Sequence, residues 1–129
     1  MDDAEDAEAL YERSRRHGDR WCPPQDAGHA ALLRRAAALG SAQAQRDLGC
    51  CYATGEEAIV RSPVLARYWY GRAARAGHAD TQYNFGCMLL HGEGGPREPA
   101  AGLAWIRRAA GRGDPVAKGH LHDLAAGAV

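Results

Sequence analysis

Gly71-Arg-Ala-Ala-Arg-Ala-Gly-His-Ala-Asp-Thr-Gln-Tyr-Asn-Phe-Gly86 decides the fold, because the chain carries this stretch more than once. Shifted back by 37 residues it reads Arg34-Arg-Ala-Ala-Ala-Leu-Gly-Ser-Ala-Gln-Ala-Gln-Arg-Asp-Leu-Gly49. Shifted forward by 36 it reads Arg107-Arg-Ala-Ala-Gly-Arg-Gly-Asp-Pro-Val-Ala117. Self-similarity at such a period marks a stack of supersecondary units, none of which buries its apolar face alone. The columns align: Ala37, Ala74 and Ala110; Gly40, Gly77 and Gly113; Leu48, Phe85 and Leu121; Leu32, Trp69 and Trp105; Gly55 and Gly92. From Gly55 to Trp69 is one residue longer than from Gly92 to Trp105, so a single insertion in the first loop accounts for the two shifts.

Each unit reads as two helices. From His78 to Leu90 the apolar and small residues recur at roughly helical spacing. Gly92 to Glu98 is turn-rich, and Pro99 suits the first turn of a second helix, where its missing N–H costs nothing. That helix runs to Ala110 and stops at Gly111 and Gly113. The preceding unit repeats the plan: a helix over about 41–54, a loop over 55–62, and a helix from Pro63 to Ala76 ended by Gly77. Residues 3–17 form a helix with acids first (Asp3, Glu5, Asp6) and Arg13, Arg15 and Arg16 last, which suits the helix dipole. A loop through Trp21-Cys22-Pro23-Pro24 and a helix over about 26–39 complete a degenerate first pair. Helix 114–126 closes the array, with His122 where Gly49 and Gly86 stand in earlier units. If those glycines admit the next helix, a terminal helix needs none.

The expected fold is therefore all-α: one domain over 1–129, a solenoid of antiparallel helix pairs with six to seven helices. It divides into 3–39, 41–76, 78–111 and the closing helix 114–126. Composition agrees. Ala occurs 27 times, Phe once, and Val and Ile are sparse, which favours helix over strand. The 16 basic residues match the 16 acidic ones, so the basic excess of a nucleic-acid binder is missing. No apolar run reaches the ~18–20 residues that cross a bilayer. The start Met1-Asp2-Asp3-Ala4-Glu5-Asp6 is the reverse of a secretory signal. The expected location is the cytoplasm, with Cys22, Cys50, Cys51 and Cys87 as free thiols.

These columns resemble the Sel1-like repeat, an α-helical repeat related to the tetratricopeptide repeat. The resemblance rests on Leu48-Gly49, Tyr52, Gly55, Ala66, Trp69-Tyr70, Ala73-Ala74 and Gly77-His78-Ala79. It continues through Phe85-Gly86, Gly92-x-Gly94, Glu98, Trp105 and Ala109-Ala110, and covers about residues 28–121. Glu57, Arg61 and Gly102 depart from the pattern, standing for a loop Gly, an acid and an Ala. The resemblance implies a non-catalytic protein-binding solenoid, an adaptor or scaffold. Similar bacterial proteins act in signalling, in host contact, and as immunity partners of secreted toxins.

Trp69, Trp105, Tyr52, Tyr70, Phe85 and His78 sit in fixed columns and are expected to be structural. Residues that vary between units on the first helix of each pair are the expected partner-binding set, since that helix lines the concave face of a solenoid. They are Arg46, Asp47 and Cys50, then Tyr83, Asn84, Cys87 and His91, then His120. Trp21, outside any column, is read as a cap over the first pair or as a further contact. The predicted partner is another protein, and no catalytic residue, metal or cofactor is expected. Small size and the lack of a second domain suggest a dedicated inhibitor, such as a toxin immunity protein.

Two rivals have residues behind them. Cys87 and His91, one helical turn apart, suit a metal- or thiol-dependent enzyme, although His120 and His122 point apart and no third ligand converges. A self-associating scaffold in bacterial signalling would pair through a terminal helix, since a short array leaves apolar surface at both ends.

Overall fold

The structure is a computed structural model that describes residues 6–15, 27–56 and 58–127. The described residues hold seven helices: α1 (Ala7–Arg15), α2 (Ala27–Ala38), α3 (Ala42–Thr54), α4 (Pro63–Arg75), α5 (Ala79–His91), α6 (Pro99–Gly111) and α7 (Pro115–Ala125). They contain no strand, only an isolated backbone bridge between Glu56 and Ile59. The fold is all-α, as the periodicity predicts. Each helix packs on its neighbours in sequence, within pairs (α1–α2, α3–α4, α5–α6) and between them (α2–α3, α4–α5, α6–α7).

The turns between pairs are built alike. The N–H groups of Ser41, His78 and Asp114 reach back to the carbonyls of Ala36, Ala73 and Ala109 at 3.1, 3.2 and 3.1 Å. This six-residue closure requires a left-handed residue just before the donor. Gly40, Gly77 and Gly113 supply it, with φ of 109°, 98° and 101°. The next helix starts at once: Ser41 Oγ accepts from the Ala44 N–H, and Asp114 Oδ1 from that of Val116. Two glutamines then lock the corner from inside. Gln45 and Gln82, 3% and 2% exposed, donate Nε2 to the carbonyls of Ala37 and Ala74 at 3.0 and 3.1 Å.

Glycines also set how closely helices cross. A Cβ on Gly86 would lie 2.8 Å from the Gly102 carbonyl oxygen, and one on Gly102 would lie 2.6 Å from that of Gly86. The departure from the repeat pattern at Gly102 thus gives α5 and α6 backbone-to-backbone contact. Gly49 instead makes room for a side chain, the Tyr70 ring, whose Cδ1 would lie 2.9 Å from an added Cβ.

The core runs through Leu10, Leu33, Leu48 and Ile59, all essentially unexposed, with the alanines of α2, α3 and α4 between them. Fully burying each of the large side chains is worth about 1.5–3 kcal/mol. Ile106, Ala109 and Ala117 form a smaller cluster under α7. The 55–62 loop delivers Ile59 into the core. Trp69 and Trp105 are half-buried and pack against that core. Trp105 lies edge-on to Phe85 at 5.6 Å between ring centres. The second-helix tryptophans also carry arginines, Arg72 on Trp69 and Arg108 on Trp105.

Candidate functional site

Tyr11, Arg46 and Tyr83 are each the fifth residue of their helix, in α1, α3 and α5. Asp47, Asn84 and His120 are each the sixth, in α3, α5 and α7. The fifth residue of one first helix meets the sixth residue of the next. At the α1–α3 junction the Tyr11 hydroxyl donates to Asp47 Oδ2 at 2.6 Å. At the α5–α7 junction the Tyr83 hydroxyl lies 3.2 Å from His120 Nδ1, with the rings edge to face. The α3–α5 junction differs. There Arg46 pairs with its neighbour Asp47 at 3.0 Å and reaches Asp80 at 3.8 Å. Asn84 is exposed and makes no side-chain hydrogen bond with another described residue.

This geometry sorts the residues proposed from sequence. Asp47 is 2% exposed and bonded to both Tyr11 and Arg46, so its carboxylate joins units and is out of a partner's reach. Tyr83 and His120 are half-buried and bonded to each other. Cys50 is half-buried beside Tyr70, whose phenol is held protonated well above its usual range by burial and by the nearby Cys50 sulfur. Arg46, Asn84, Cys87 and His91 remain presented, half-buried or exposed, on α3 and α5. Trp21 lies outside the described residues.

Beside Asn84 and Cys87 opens a cleft of about 250 Å³, with Arg61, Tyr70, Met88 and Glu93 among its lining residues. Its mouth mixes an arginine, an amide, a thiol and a carboxylate over an aromatic and a thioether wall. Such a mixture suits a polypeptide surface, which offers both apolar anchors and hydrogen-bonding groups. The loop residue Arg61 was not among the sequence candidates; it is held back against the end of α3, with Arg61 Nε donating to the Ala53 carbonyl at 3.2 Å.

The chemistry of the thiols is subdued. Burial raises the Cys87 pKa, and burial pushes Cys51 up to about 12. A protonated thiol is a poor nucleophile and a poor metal ligand. Tyr83 is likewise pushed up to about 12, first by burial and then by the neighbouring Cys87 thiol. Among the described residues no three His, Cys, Asp or Glu side chains converge as a metal-ligand set. Cys50, Cys51 and Cys87 are free of disulfides, and no described helix is long and apolar enough to cross a membrane.

Comparison with known proteins agrees with this architecture. The model of the Sel1 repeat matches residues 7–41, 42–78 and 79–114. A Sel1 repeat protein from Oxalobacter formigenes superposes with a TM-score of 0.80 at 36% identity, covering 92% of this chain and 89% of that one. A protective antigen of uropathogenic Escherichia coli with an SLR fold gives a TM-score of 0.72 at 30% identity, over 84% of this chain and 23% of that one. Helicobacter pylori cysteine-rich protein B shares the fold, with a TM-score of 0.65 at 22% identity over 71% and 68% of the two chains. Chitin synthase regulatory factor 3 of Schizosaccharomyces pombe is 29% identical over 106 residues, 81% of this chain. The match spans only 11% of that relative's length.

Proposed function

From the premise that this chain belongs to the Sel1 repeat family, whose members generally mediate protein–protein interaction and are typically non-catalytic scaffolds, we propose that it binds a partner protein on its first-helix side, at the α3–α5 junction. The observation that carries this reading is the break in the inter-unit bonding. Two junctions consume their polar pair internally; at the middle one Arg46 turns to Asp47 and Asp80 and leaves Asn84 exposed on the cleft that Cys87 and Arg61 also line. Polar groups held in place but not used by the fold are available to a partner, and a half-buried cleft beside them gives an anchor side chain a seat.

Within that reading, a dedicated inhibitor such as an immunity protein of a secreted toxin is the finer proposal, supported by the family resemblance alone. It would hold one partner at about nanomolar affinity or tighter, where a scaffold would hold several more weakly. Affinity capture from the protein's own cell lysate, run beside Asn84→Arg, tests the site. We expect one stoichiometric partner with the parent chain and its loss with the variant, which fills the cleft mouth. Capture undiminished in Asn84→Arg, or none with the parent chain, contradicts the proposal.

Self-association is a second reading, favoured by one surface. Leu103, Leu121 and Leu124 line an apolar cleft of about 380 Å³ between α6 and α7. Light scattering across a concentration series decides it, since a dimer through this face would double the mass in the parent chain and not in Leu124→Glu.

A further inference from the structure

The second helices carry charge of one sign. α2 holds two arginines, α4 three and α6 two, and none of the three contains Asp or Glu. Each first helix carries an acid: Glu8 and Glu12 beside Arg13 in α1, Asp47 beside Arg46 in α3, Asp80 in α5, and Asp123 beside Lys118 in α7. The whole chain has no net charge. The arginines are therefore sorted by helix class, and a solenoid turns that sorting into a face.

Between α4 and α6, on this face, lies a cleft of about 320 Å³. Phe85 and Leu89 of α5 floor it, and Tyr68, Arg75 and Trp105 wall it. Arg75 lies over the Phe85 ring at 5.5 Å from its centre, and Arg108 lies over Trp105 at 4.6 Å. Among the described residues no carboxylate pairs with either. Arg67, by contrast, is already committed to Glu98 at 2.8 Å and to the Pro96 carbonyl at 2.9 Å. A guanidinium lying against a ring is held in orientation while its in-plane N–H groups stay free at the edge. Those edges match a carboxylate in a two-point bond. Tyr68, 53% exposed, adds an aromatic surface beside them.

We propose that this cleft docks an acidic segment of a partner protein, with an apolar side chain against Leu89 and Ala101 and carboxylates on Arg75 and on Arg108, which lies over the Trp105 ring at the cleft's edge. Arginines among aromatics also suit single-stranded nucleic acid. Glu98 also lines the cleft, but its carboxylate is paired with Arg67 at 2.8 Å. The balanced charge of the whole chain lacks the basic excess that a phosphate chain needs, whereas two arginines suffice for a short acidic segment. No residue lines both this cleft and the one beside Asn84, so the two surfaces can be tested apart.

The probe is a fluorescent Glu-rich peptide with a central Phe-Leu pair, read by anisotropy on the full chain. Its Gln-for-Glu counterpart and a single-stranded DNA of matched length run beside it. The Glu peptide is expected to bind, to weaken with added salt, and to lose about tenfold in affinity for each of Arg75→Gln and Arg108→Gln. Asn84→Arg is expected to leave it unchanged. Equal binding of the Glu and Gln peptides overturns the proposal, as does binding of DNA without the Glu peptide, or variants that bind like the parent. Should Arg75→Gln lose helicity, Arg108→Gln, an exposed position, carries the test alone.

Discussion

Tyr11 and Asp47 tie the first helix of one unit to the first helix of the next: the phenol, 6% exposed, donates at 2.6 Å to a carboxylate that is 2% exposed. Tyr83 and His120 repeat the arrangement two units on, at 3.2 Å and with more solvent around them.

The two bonds should differ in worth. Tyr11→Phe removes a donor from a buried carboxylate, which costs about 2 kcal/mol. Tyr83→Phe acts at a half-buried site and costs under about 1 kcal/mol. Urea denaturation of both variants checks the order, and equal losses would contradict the burial argument.

Gly86 makes a sharper case than any side chain. Its absent Cβ is what lets α5 touch the α6 backbone, with the Gly102 carbonyl oxygen 2.8 Å from where that atom would sit. Gly86→Ala is expected to destabilise by about 1–3 kcal/mol through overpacking. Gly119, within α7, has nothing within 4 Å of an added Cβ. Gly119→Ala should stabilise by up to about 1 kcal/mol through helix propensity. Opposite signs in thermal melts are the expected outcome.

His78 gives the fold a pH dependence. Burial first, then the nearby Arg46 charge, lowers its pKa below the ordinary 6.5. The folded chain thus holds this proton less tightly than the unfolded chain. The stability contribution is full above about 6.5 and is lost as the pH falls below it. His78 also meets the Thr81 hydroxyl through Nδ1 at 3.1 Å. The Tm of the parent should fall from about pH 7.5 to about pH 5.5. His78→Asn, which removes the titrating ring and suits this N-cap position, should fall less, so parallel curves would refute this role.

The repeat made the helices legible, because it wrote Gly40, Gly77 and Gly113 into one column and Pro63 and Pro99 at the starts of second helices. The tight crossing was legible too, in Gly86, while the same column at Gly49 makes room for the Tyr70 ring. The candidate site was read less well. Helical spacing puts Asp47, Tyr83 and His120 on the same side as Asn84, but it does not say which polar groups meet a neighbouring unit. Only the register between first helices does, and the fifth-to-sixth pairing of Tyr11 with Asp47 reveals it. Alignment of those columns held the signal, since Arg46 stands between Tyr11 and Tyr83 at the fifth position of α1, α3 and α5. Arg75 and Arg108 were hidden for another reason. Balanced net charge conceals a charge asymmetry between helix classes, and that asymmetry emerges only when the second helices are tallied apart from the first.

The most direct test of the central claim places a photo-crosslinking residue at Asn84 and, in a second protein, at Leu39, which is exposed at the end of α2. After irradiation in the native cell, position 84 should yield one discrete adduct to a single protein, and position 39 none. Adducts from 39 and not from 84, or no adduct from either, would contradict a partner-binding site at the α3–α5 junction.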